Sequence, residues 1–100
     1  MLVLPNKSAA VWDKFLKENE VLIYKFMVKE IKKHMDSPSN RIDLFKFEDG
    51  SMHAWILKKN IPKTLSQAIK LFIKTEEYEF ADKATKVLRK YYVNKLISEV

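Results

Sequence analysis

The sequence contains no cysteine, one glycine and three prolines in 100 residues. Without thiols there is no disulfide frame, no thiolate nucleophile and no cysteine-ligated zinc. A single glycine excludes the glycine-rich phosphate loop and the G-x-S-x-G nucleophile elbow, each of which needs at least two. Histidine is limited to His34 and His53, with no H-E-x-x-H pattern, and no D-x-D-x-D run offers convergent oxygens to a hard cation. Arginine is equally scarce. Only Arg41 and Arg89 among nineteen basic residues carry the planar guanidinium suited to bidentate contacts with phosphates and bases. The opening MLVLPNKSAA lacks the basic region and the length of a signal peptide or membrane span. The expectation is a cytoplasmic protein with no membrane contact.

What is present reads as one small globular domain over 1–100. Hydrophobic residues make up 47% and charged residues 32%, outside the disordered regime. A chain this long can bury roughly two-thirds of its unfolded surface without metals or disulfides. The net charge is +6. It divides into seven lysines against four acids over 1–35, an even balance over 36–62, and eight basic against five acidic residues over 63–100. No basic arm stands apart. The bias toward Lys, Ile, Phe and Tyr follows AT-rich codons, so charge alone does not assign a nucleic-acid ligand.

Along the chain, Asn6 and Ser8 are candidate caps for a first helix spanning about residues 8–35, after Pro5 closes the apolar lead. Trp12, Phe15, Leu16, Leu22, Ile23 and Phe26 form one apolar stripe, with Asn19 in its middle as a possible break. Val21, Tyr24, Val28, Ile31 and Met35 fall on the opposite face at the a/d spacing of a seam, over only two heptads. A helix apolar on both sides is either the central helix of its own domain or meets a partner chain.

The stretch IDLFKFEDGSMHAWILKK marks a hairpin over about 41–58, with Asp49-Gly50 as the turn. A two-residue turn there pairs Phe47 with Met52, Phe45 with Ala54 and Asp43 with Ile56 on one face. It pairs Lys46 with His53, Leu44 with Trp55 and Ile42 with Leu57 on the other. The second face, around Leu44, Trp55 and Leu57, then needs a cover. Pro62 suits the start of a helix over about 62–74, where Thr64 to Gln67 has the form of a capping box. Thr75 with Glu76 and Glu77 marks the start of a last helix, about 76–98. The small Ala68 and Ala84 and the aromatic Tyr78 make this pair resemble one tetratricopeptide-type helical hairpin. A single unit without a second copy makes no repeat protein, and the resemblance implies no function.

The expected fold is α+β, in the order α-β-β-α-α: three helices, or four if Asn19 breaks the first, packed around one antiparallel hairpin. The expected function is a small non-enzymatic binding protein acting through protein contacts, with a homodimeric regulator of phage or mobile-element type as one form. Its candidate interface is Val21, Tyr24, Val28, Ile31, Met35, Leu44, Trp55 and Leu57. The alternative is nonspecific nucleic-acid binding through Lys83, Lys86, Arg89 and Lys90 on the last helix. No catalytic, metal or cofactor residues are assigned and no small-molecule substrate is evident. A small hydrolase built on His53 is the remotest reading.

Overall fold

A computed structural model describes residues 2–5, 9–51 and 53–99. The described residues form a mixed α+β fold of four α-helices and a three-stranded sheet. In chain order the elements are β1 (Leu2–Leu4), α1 (Ala9–Glu18), α2 (Glu20–His34), β2 (Arg41–Phe47), β3 (His53–Leu57), a 3-10 turn (Lys58–Asn60), α3 (Ile61–Lys74) and α4 (Tyr78–Glu99). The caps expected at Asn6 and Ser8 lie outside the described residues.

Asn19 divides the first helix. Its backbone N–H and its side-chain Nδ2 both donate to the Phe15 carbonyl, at 3.0 and 2.9 Å. A side chain that bonds back to a turn in this way competes with the helical ladder, which restarts where Ile23 donates to the Asn19 carbonyl at 2.9 Å.

The sheet is not the isolated antiparallel hairpin expected. The apolar lead becomes a parallel strand, β1, pairing Leu2 with Phe45, Val3 with Lys46 and Leu4 with Phe47. The strand order is β1-β2-β3. Three residues give too short a pattern to read as a strand, and the pairing reaches more than forty residues along the chain.

The hairpin register agrees with expectation at Phe45–Ala54 and Lys46–His53 and then shifts by one. A bulge at Leu44 makes Asp43 face Trp55, Ile42 face Ile56 and Arg41 face Leu57. The extra residue lets Ile42, Leu44, Phe45 and Phe47 all point inward, with exposures of 1 to 9%. Asp43 moves to the outer face. The connection is longer than a two-residue turn, since β2 ends at Phe47 and β3 begins at His53. Met52, the expected partner of Phe47, lies outside the described residues.

Between α3 and α4 the chain turns through a Schellman motif. Glu76 adopts φ +61°, Glu76 N–H donates to Ile73 O at 3.2 Å, and Glu77 N–H donates to Phe72 O at 2.7 Å. Thr75 therefore closes α3, its hydroxyl donating to Leu71 O at 2.8 Å, and does not cap α4 as expected. Thr64 is likewise inside α3, because the helix already begins at Ile61 with Pro62 in its first turn.

The core is built from α2, the inner face of β2, and the α3–α4 pair. Phe72, Ile31, Ile42, Ile61 and Leu65 are its largest fully buried side chains. Ala68 and Ala84, both fully buried, belong to the facing helices of that pair. The molecule is flat, 47 × 33 × 16 Å between Cα atoms.

Candidate binding groove

The sidedness of α2 is the reverse of the candidate interface. Val28, Ile31 and Met35 are buried in the core, with Val21 and Tyr24 half-buried against it. Leu44 joins them at 3% exposure, because the bulge turns it inward. Ile31, Met35 and Leu44 are therefore enclosed, whereas Val21 and Tyr24 keep part of their surface and Val28 also lines an open groove. Of the eight candidates, Trp55 is exposed on the outer sheet face and Leu57 is half-buried. The other stripe is only partly covered: Trp12 is buried at 6%, whereas Leu22 is 61% exposed and Phe15 is 38% exposed.

That stripe forms one wall of an apolar groove of about 850 Å³ running between α2 and α4. Ile23, Phe26 and Val28 come from α2, Phe80 and Val87 from α4, and Leu2, Leu4 and Phe45 from the sheet. Volume and lining fall in the range of ligand sites, although the groove is open along one side.

Two rows of lysine edge it. Lys25, Lys29 and Lys32 follow one another at helical spacing on α2, and Lys83, Lys86 and Lys90 do the same on α4. Each row spans roughly 10 Å at about 1.5 Å per residue, or two helical turns. The sequence reading singled out only the α4 row, and Arg89 from that set does not line the groove. The α2 row has a visible helical period, but nothing local in the sequence places α2 beside α4, so it is not singled out there.

Four of the six cations have internal partners. Lys25 Nζ lies 3.2 Å from Glu77 Oε1, and Lys90 Nζ lies 3.4 Å from Asp36 Oδ2. Lys83 pairs with Glu79 at 3.6 Å and Lys86 with Asp82 at 2.9 Å, both one turn apart on the exposed side of α4. Such surface pairs contribute only about 0.3–0.5 kcal/mol and exchange readily. Lys29 and Lys32 have no ion pair among the described residues. One region of the groove is organised by Phe80, whose ring centroid is 4.1 Å from Lys25 Nζ and 4.8 Å from Lys83 Nζ. This contact and the Lys25–Glu77 pair tie α2 to the start of α4.

The remaining polar clusters have a different character. On the outer face of the sheet, Asp43 Oδ1 lies 3.0 Å from His53 Nε2 and 3.2 Å from Arg41 Nε, while the Arg41 guanidinium stands 5.4 Å from the Trp55 ring centroid. Glu30, 5% exposed, is matched by His34 Nε2 at 3.3 Å, one turn along α2. Among the described residues no group of three or more His, Asp or Glu side chains is placed to hold a metal, and no helix is long and apolar enough to cross a membrane. Comparison with protein-family models, curated proteins and solved structures gives no significant match.

Proposed function

We propose that this chain is a small non-enzymatic binding protein that works by holding a segment of another protein in the groove between α2 and α4. The observation that carries this reading is an apolar concavity left open on a 100-residue body, with Leu22 and Phe15 exposed at its edge. Exposed apolar patches of this kind mark contact surfaces, since solvation of them costs solubility and stability. A groove between two helices accepts a third apolar element by the same side-chain interlocking that holds helix pairs together.

Affinity capture from native extract, run with the wild-type chain, Leu22→Glu and Trp55→Ala, tests it. Proteins retained by the wild type and by Trp55→Ala but lost by Leu22→Glu are the expected result. Equal retention by all three, or loss only with Trp55→Ala, moves the contact away from the groove. Sedimentation velocity on the same samples separates a foreign partner from a homodimer.

A second reading, electrostatic nucleic-acid binding through Lys83, Lys86, Arg89 and Lys90, draws support from the α2 lysines that double the cationic edge. It requires affinity that falls steeply with salt and is insensitive to Leu22→Glu.

A further inference from the structure

The groove pairs two chemistries, and together they narrow what can occupy it. Its floor is apolar over the length between α2 and α4, whereas every charged group on its lining is a lysine. An occupant must therefore be apolar on the face it buries and anionic on its flanks. The lysine rows set the geometry further. They run along two helices for two turns each, so complementary carboxylates must be spaced by a helical repeat on both sides of an apolar stripe. Because the groove is open along one side, the outer face of the occupant stays in water. An amphipathic helix satisfies this, whereas a free acyl chain would leave apolar surface wet.

We infer that the groove accepts an acidic amphipathic helix, about two turns of whose apolar stripe lie between the lysine rows, from a partner protein and not from a second copy of this chain. The inference rests on the protein-binding reading and adds the chemistry of the partner. The exclusion of a second copy comes from charge. The longest run of exposed apolar residues on one helix of this chain, Tyr92, Val93, Leu96 and Ile97, sits among Arg89, Lys90 and Lys95 with Glu99 as the one acid beside it. That end of α4 carries the same sign as the groove edge, and like charges brought together across an interface oppose binding. Lys29 and Lys32 supply the cationic contacts most readily, because among the described residues their ammonium groups have no carboxylate partner to give up.

Two fluorescent peptides of about 18 residues, long enough to populate helix, provide the probe. Both carry leucine at i, i+3, i+4 and i+7, one with glutamate and the other with lysine at the flanking positions. Binding is read by anisotropy at low and moderate salt, and its location by amide chemical-shift changes. The glutamate peptide should bind the wild-type chain at least about tenfold more tightly than the lysine peptide, with shifts in α2 and α4. Lys29→Glu/Lys32→Glu, exposed on the rim, should weaken the glutamate peptide about tenfold and strengthen the lysine peptide. Equal binding of both peptides in the groove removes the acidic partner while leaving the groove reading intact. No binding of either peptide removes both. Displacement of the glutamate peptide by single-stranded DNA at low salt, with no loss in Leu22→Glu, assigns the lysine rows to nucleic acid and overturns the inference. Self-association of the chain through the groove does the same.

Discussion

Asp43 Oδ1 lies 3.0 Å from His53 Nε2, a cross-strand contact that exists only because the register shifts at Leu44. In an unbroken hairpin Asp43 would oppose Ile56 and point its carboxylate into the core. The bulge spends one residue to exchange that buried charge for a buried leucine. Bulged strands re-aim side chains in this way, and here the effect extends to the whole outer face, where Arg41, Asp43, His53 and Trp55 gather.

Leu44 and Trp55, neighbours in a regular hairpin, should consequently respond very differently to truncation. Leu44→Ala is expected to cost about 2–4 kcal/mol, as for other large-to-small changes in a core. Trp55→Ala should cost about 1 kcal/mol, since 45% of its surface is exposed and its ring lies outside the core. Urea denaturation of the two variants checks this, and similar losses at both sites would contradict the bulge.

Glu76 holds a left-handed conformation at the C′ position of a Schellman motif, where glycine is the usual residue. Glu76→Gly should raise stability by about 0.5–1 kcal/mol by relieving the Cβ conflict of an L-residue at φ +61°. Gly50→Ala provides the opposite case. At φ +74° a Cβ would meet no atom within 4 Å, so a loss of about 1 kcal/mol would come from backbone strain alone. Thermal melts of both variants read the two signs, and destabilisation by Glu76→Gly would count against the motif.

The loop between β2 and β3 has a pH dependence of known sign. The Ser51 side chain, and then its backbone N–H at 2.8 Å from Asp49 Oδ1, hold the Asp49 carboxyl below its ordinary value. A carboxylate depressed in the folded state contributes stability above its unfolded-state pKa and loses it as pH falls through the lower folded value. An NMR titration should find the Asp49 midpoint below the usual aspartate range, and Ser51→Ala should move it upward. A midpoint in wild type at or above that range would mean the turn is not held this way.

Local signals in the sequence carried most of the helical architecture. The apolar period of α3, the Pro62 start and the interruption near Thr75 were legible because each depends on residues within a few positions of one another. Even there the capping role of Thr75 was reversed. Its hydroxyl had acceptors on one side and donors on the other, and only the conformation of Glu76 chose between them. The candidate site was legible only in halves. The α4 lysines were singled out, but their counterparts on α2 became a groove edge only once the two helices lay side by side.

Composition and periodicity thus determined which residues are apolar, which elements are helical, and that α2 is apolar on two faces. Tertiary structure decided which of those faces is buried, because that depends on where the sheet and the α3–α4 pair dock, which periodicity cannot encode. It also decided that the opening residues join the sheet and that Leu44, not Asp43, enters the core. Both follow from non-local pairing, where the burial of whole strands outweighs the preference of any single residue.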